Sequence, residues 1–163
     1  MKITTAHEYL RQFNTVFSAI VLVPLLVFIF GALEVRSQGG NASWPPAVLI
    51  GAGVAVLVLS LAGVVLAVLH FRKHIFALQA VEPLATRLAQ YYTLYIRVFL
   101  YMAVAATVPA VALLYFKHLL FAVIGAIPFL MLTSRRPNLL RLFKDLKLND
   151  EQRTLIKNGG ELE

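Results

Sequence analysis

Four long stretches of this chain contain no Asp, Glu, Lys or Arg, and this pattern constrains its fold more than any other feature. The stretches cover residues 13–33, 47–69, 98–116 and 119–134. A bilayer hydrocarbon core of about 30 Å needs about 20 apolar helical residues per crossing, and the first three stretches approach or exceed that length. Charged residues make up only 14% of the sequence and its mean hydropathy is +0.77. The sequence therefore predicts an all-α polytopic membrane protein.

The distribution of Lys and Arg predicts the orientation of the spans. Of the 15 Lys and Arg residues, only Arg36 and Lys117 fall in the connections assigned to one side of the membrane. Loops rich in Lys and Arg stay in the cytoplasm, so both termini are predicted to be cytoplasmic. A single span over residues 98–132 would export the basic tail, whereas two spans with a turn at Lys117 and His118 keep it inside. We therefore expect four spans in an inner membrane, the last of about 24 Å.

The chain is predicted to divide into a membrane domain and a tail. Apolar positions recur at helical spacing beyond the second span until Glu82 and Pro83 interrupt them, and a second helical pattern then runs into the third span. Helices 2 and 3 are therefore predicted to extend into the cytoplasm as a hairpin over residues 72–97. The membrane domain, residues 1–134, is predicted to be an antiparallel bundle with spans at residues 13–33, 47–71, 98–116 and 119–134.

The tail, residues 135–163, is predicted to contain a basic amphipathic helix. Its apolar face consists of Leu139, Leu142, Phe143 and Leu146. Its charged face consists of Arg141, Lys144 and Asp145. Such a helix either lies in the headgroup layer or packs on the hairpin. Asn149 and Gln152 then have the spacing of a capping box, which predicts a last short helix.

A basic and aromatic cluster at the cytoplasmic boundary is the candidate binding site. Guanidinium, ammonium and phenol groups at this level can hold lipid phosphates or acidic groups of a protein partner. The cluster, with two cations of the tail, consists of Arg72, Lys73, Arg87, Tyr91, Tyr92, Tyr95, Arg97, Arg141 and Lys144. The alternative interpretation is interfacial anchoring without a specific ligand. The spread of these cations along the boundary argues against nucleic acid as a partner.

No motif in the sequence indicates catalysis or a cofactor. The chain has no Cys, so thiol chemistry and thiolate metal sites are excluded. His70 and His74 lie four residues apart on one helical face, a spacing that suits a metal or a haem. No Asp, Glu or Cys lies near them in sequence, so we predict neither a metal nor a cofactor. The apolar stretches also carry none of the ionisable residues that are typical of coupled transport.

Three classes of function remain open on these grounds. The favoured class is a non-enzymatic membrane module, an accessory or scaffold subunit that docks a partner through the hairpin and the basic tail. The second is an oligomeric channel or small carrier, which would need a polar path that the sequence does not display. The third is a lipid-modifying enzyme, although the boundary lacks paired carboxylates. Small residues at four-residue spacing, such as Gly63 and Ala67, predict close helix packing within the chain or in a homo-oligomer.

The second half of the chain resembles small uncharacterised bacterial four-span inner-membrane proteins. The shared features are a Tyr-rich entry to the third span, a short last span, an Arg-Pro step at Arg136 and Pro137, and an Asp-Leu-x-Leu tail from Asp145 to Leu148. The resemblance implies a bacterial inner-membrane protein with four spans. It implies no activity.

Overall fold

The described part of the chain is an all-α structure, as the sequence predicts. The computed structural model describes residues 6–37 and 44–157. Lys2 and the last six residues of the predicted tail, 158–163, lie outside the described residues. Within the described ranges the chain forms six helices: α1 Ala6–Ser37, α2 Pro46–Leu78, α3 Leu84–Phe116, α4 Leu120–Ser134, α5 Leu139–Asp145 and α6 Asp150–Lys157.

Helices α1, α2 and α3 are long and apolar enough to cross a membrane. They contain 32, 33 and 33 residues. At 1.5 Å per residue each is about 48–50 Å long, which exceeds the hydrocarbon thickness of a bilayer. Helix α4 has 15 residues and is followed, after a bend of 83°, by α5. The prediction that the chain has several apolar helices of membrane-spanning length is therefore confirmed for α1, α2 and α3.

The ends of the helices follow local sequence signals. Helix α2 begins at Pro46, a position where proline's missing N–H is not needed by the helix. The connection from α2 to α3 contains Glu82 and Pro83, the residues at which the sequence pattern breaks. Helix α3 ends at Phe116, and the next residue, Lys117, caps it with a left-handed φ of 52° and donates its amide to the Leu113 carbonyl at 2.9 Å. The turn expected near Lys117 is therefore present.

Helix α3 lies at the centre and packs against α1, α2 and α4. Its contact with α2 is close at mid-length, where Ser60 Oγ donates a hydrogen bond to the carbonyl of Ala105 at 3.0 Å. A Cβ placed on Gly63 would lie 2.9 Å from the Cβ of Ala105. Small side chains permit such an approach of two backbones. The small residue Gly63 therefore serves packing within this chain.

Two apolar cores lie at opposite ends of the long helices. The smaller joins α1, α2, α3 and α4 through residues such as Val35, Leu113 and Phe121. The larger joins the start of α1, the end of α2 and the start of α3 to the tail. The buried members at that end include Tyr9, Phe13, Leu78, Leu88, Tyr91, Tyr95, Leu142, Phe143, Leu146, Leu148 and Ile156. The described part of the tail, residues 135–157, is thus part of the folded structure.

The capping box predicted for the last helix is confirmed. The amide of Gln152 donates to Asn149 Oδ1 at 2.8 Å, and the amide of Asn149 donates to Gln152 Oε1 at 3.3 Å. These two bonds satisfy amides that have no partner within the helix. Helix α6 begins at Asp150 for this local reason.

Replacing Gly63 by Leu should destabilise the packing of α2 on α3, because the new side chain would meet Ala105. Overpacking of this kind costs about 1–3 kcal/mol. Gly51→Leu is the matched control, since a Cβ at Gly51 meets no atom within 4 Å. Thermal unfolding in detergent should give a lower midpoint for Gly63→Leu than for Gly51→Leu. Equal midpoints would contradict the close approach of the two helices.

Candidate functional site

The structure separates the members of the predicted basic and aromatic cluster. One set is buried beneath the tail, a second lines a groove between α2 and α3, and a third lines a cavity between α4 and α5. Arg72 and Lys73 are exposed on α2 and line neither the groove nor the cavity. Tyr92 packs its ring against those of Tyr9 and Phe13 of α1. The residues of this cluster therefore have different roles.

Tyr91 and Tyr95 fasten the tail to α3. They lie one helical turn apart, and both hydroxyls donate to the same oxygen, Asp145 Oδ2, at 2.9 and 3.0 Å. Gln79 Nε2 adds a hydrogen bond of 2.8 Å to the carbonyl of Asp145. Both tyrosines are buried. Their phenols are therefore occupied within the chain.

The electrostatics of this contact keep the phenols in the donor form. Burial, together with the negative charge of Asp145, raises the pKa of Tyr95 to about 12. Burial likewise raises the pKa of Tyr91. Both residues precede the charge-free stretch of α3, which begins at residue 98. Across the physiological pH range the two hydroxyls therefore keep their protons and donate to the carboxylate.

Apolar contacts reinforce the docking of α5. Leu142, Phe143 and Leu146, three of the four residues predicted for the apolar face, are buried in the larger core. Leu139 packs against that core at its edge. Burying side chains of this size contributes roughly 1.5–3 kcal/mol each before ordering costs. Helix α5 therefore packs on its own chain, as expected for docking on the hairpin.

Arg87 stabilises the connection between α2 and α3. Its side chain is 7% exposed, which is unusual for arginine. Its Nε donates to the carbonyl of Val81 at 2.7 Å, and its amide donates to the carbonyl of Pro83 at 3.1 Å. These two bonds therefore hold Arg87 against the connection between α2 and α3.

The groove between α2 and α3 has a volume of about 640 Å³. Its polar lining includes His70, His74, Gln90, Thr93 and Arg97. The two imidazole rings have centroids 4.4 Å apart. Among the residues that the structure describes, no group of three or more His, Cys, Asp or Glu side chains is placed to hold a metal ion. The histidine pair is therefore part of the groove wall.

The cavity between α4 and α5 has a volume of about 520 Å³ and a basic lining. It brings the predicted residues Arg141 and Lys144 together with Arg135 and Arg136. Arg141 Nη1 donates to the carbonyl of Ser134 at 3.4 Å. Arg135 and Arg136 were not among the site residues predicted from the sequence. Their position between an apolar stretch and a proline was the signal that could have placed them at the site.

Comparison with protein-family models, curated proteins and solved structures finds no match to this chain. Its function is therefore inferred from the geometry of its own residues.

Replacing Asp145 by Ala should release α5 from α3. The change leaves two buried hydroxyls without their acceptor, which costs about 1–3 kcal/mol for each group. Asp150→Ala is the control, because it removes a carboxylate from an exposed pair with Arg153 that is worth at most about 1 kcal/mol. Hydrogen exchange over residues 139–148 should become faster in Asp145→Ala and stay unchanged in Asp150→Ala. Slow exchange in both variants would refute the anchoring role of the carboxylate.

Proposed function

We propose that this chain is a non-enzymatic membrane module, an accessory or scaffold subunit that holds a partner protein at the cytoplasmic face of an inner membrane. The observation that carries the proposal is the docking of the tail on α2 and α3 through Asp145 and the apolar face of α5. Because of this docking, α5 and the adjoining parts of α2 and α3 form one packed end of the molecule, and the groove between α2 and α3 stays open. A rigid surface loses little conformational entropy on binding, which suits a docking role.

The proposed topology has four spans with both termini in the cytoplasm. The segregation of charged and aromatic groups supports it. At one end Lys117 pairs with Glu34 at 3.0 Å, and the ring of Trp44 packs on those of Tyr115 and Phe116. Tryptophan and tyrosine favour membrane interfaces. The tail, which carries seven of the 15 Lys and Arg residues, belongs to the opposite end.

Helix α4 is the proposed fourth span. Its 15 residues extend about 22 Å, so the bilayer must thin locally or neighbouring helices must cover its ends. Phe121 and Leu132, near its two ends, are fully buried against other parts of the chain. Arg135 and Arg136 follow the helix directly, and cations at this position suit the headgroup layer.

Helices α2 and α3 form the proposed cytoplasmic hairpin. Their contacts pair residues whose numbers run in opposite directions: Ser60 with Ala105, and Phe71 with Tyr95. Such pairing supports an antiparallel arrangement. The helices continue beyond their charge-free stretches for roughly 14 Å in α2 and 21 Å in α3 at 1.5 Å per residue. This projection would carry the groove into the cytoplasm.

The groove is the proposed partner surface, and a partner helix with an acidic side chain is its proposed occupant. Ala85, Ala89 and Thr93 line it at four-residue spacing on α3, and small side chains let another helix approach closely. Arg97 and His74 line it as well, and the described residues of the lining include no carboxylate. Charge complementarity therefore favours an Asp or Glu of the partner.

Reporter fusions test the topology. A reporter active only in the cytoplasm should be active after Glu163 and inactive after Gln38, because the Lys- and Arg-rich side remains inside. A reporter active only outside should give the reverse pattern. An external signal at Glu163 would rule out the four-span arrangement.

A tryptophan in the groove tests the docking role. Ala89→Trp should remove a stoichiometric partner that co-purifies with the parent from native membranes in mild detergent, because the indole fills the groove. Ala80→Trp is the matched control, since Ala80 is exposed in the connection between the helices and does not line the groove. A partner retained by both variants would contradict the groove as the docking surface. A defined homo-oligomer without any other protein would favour the channel alternative.

A further inference from the structure

We propose that the cavity between α4 and α5 binds the phosphate of an anionic lipid headgroup. Among the described residues, the lining combines four cationic side chains with one carboxylate, Asp145. That carboxylate already accepts two hydrogen bonds from tyrosine hydroxyls. The cations are contributed by the α4–α5 connection and by α5, and they are Arg135, Arg136, Arg141 and Lys144.

The position of the cavity matches the headgroup layer of the proposed topology, on which this inference rests. Ser134, the last residue of α4, lines the cavity, and so do Phe71 and Tyr95 near the ends of two other charge-free stretches. Helix α5 is bent by 83° from α4. If α4 crosses the bilayer, α5 runs nearly parallel to the membrane surface. The cavity in this bend then opens at the depth of lipid phosphates.

The side chains of the cavity are suited to phosphate oxygens. Guanidinium groups bind phosphate through paired, charge-assisted hydrogen bonds. Arg141 is held near the end of α4 by its bond to the Ser134 carbonyl. Asn138 caps α5 by accepting the amide of Leu140 at 2.7 Å, and its side chain lines the cavity. Donors that are already positioned reduce the entropic cost of binding.

An exposed leucine favours a lipid over a soluble phosphate. Leu140 lines the cavity and is 72% exposed. The ring of Phe71 adds a second apolar group to the lining. Apolar surface of this kind is stabilised by contact with an acyl chain. An anionic lipid supplies both the phosphate and the acyl chain, whereas inorganic phosphate supplies only the anion.

The test compares two double variants in vesicles of phosphatidylcholine that contain a small fraction of spin-labelled phosphatidylglycerol. Arg135→Gln with Arg141→Gln should lower the relative affinity for the labelled lipid about tenfold or more, because it removes charge-assisted bonds to the phosphate. Arg72→Gln with Lys73→Gln removes the same charge from exposed positions outside the cavity. This control should stay within about threefold of the parent, because exposed charges are screened. Equal losses in the two variants would overturn a specific site.

Inorganic phosphate distinguishes the two sources of the anion. If it displaces the labelled lipid as effectively as unlabelled phosphatidylglycerol does, the assignment to a lipid is overturned. Arg135→Lys with Arg141→Lys keeps the charge but loses the paired guanidinium donors, so its affinity should lie between those of the parent and the Gln double variant, and its circular dichroism should match that of the parent. If the Gln double variant does not fold, Arg135→Gln alone takes its place, because Arg135 is half-buried in the cavity lining, and unchanged affinity there overturns the site. The reporter fusions measure topology independently, so a failure of lipid binding and a failure of the proposed topology are distinguishable.

Discussion

The packing of α3 at the centre of the molecule is the constraint on which the rest of the structure depends. Helices α1, α2 and α4 all pack on it, and the tail is fastened to it. Lipid tails are as apolar as leucine, so helices in a bilayer associate through close packing and hydrogen bonds rather than through the hydrophobic effect. The contact of Ser60 and Gly63 with Ala105 supplies both. A larger residue at this contact would separate α2 from α3.

The carboxylate of Asp145 organises the packing at the N-terminal end of α3. By accepting from Tyr91 and Tyr95 it fixes the rotation of α5, whose apolar side then enters the larger core. Arg141 and Lys144 line the cavity beside α4 in this arrangement. One polar contact therefore shapes the proposed lipid site, while the groove between α2 and α3 stays open. Both proposed binding surfaces depend on a folded tail.

Much of the architecture was predictable because it depends on short-range properties. Transfer free energy and helical periodicity belong to individual residues and their near neighbours, so the apolar helices and the amphipathic face of α5 could be predicted. The capping box at Asn149 is local for the same reason. The burial of Arg87 could not be predicted, because arginine is usually exposed. Its side chain also bonds to the backbone carbonyl of Val81, an acceptor that every residue has and that no sequence pattern marks. The different roles of the residues in the basic and aromatic cluster could not be predicted either.

The sequence by itself determined that this chain is all-α and has long apolar helices of membrane-spanning length, because hydropathy and the spacing of charges are properties of the linear chain. Only the tertiary structure decided which surface the tail covers and which tyrosine hydroxyls are hydrogen-bonded to it. It also decided that Arg135 and Arg141 line the same cavity. The hydroxyls of Tyr91 and Tyr95 meet a carboxylate 54 and 50 residues away in sequence. No local pattern encodes such a contact, because it forms only when α3 and α5 are brought together by packing.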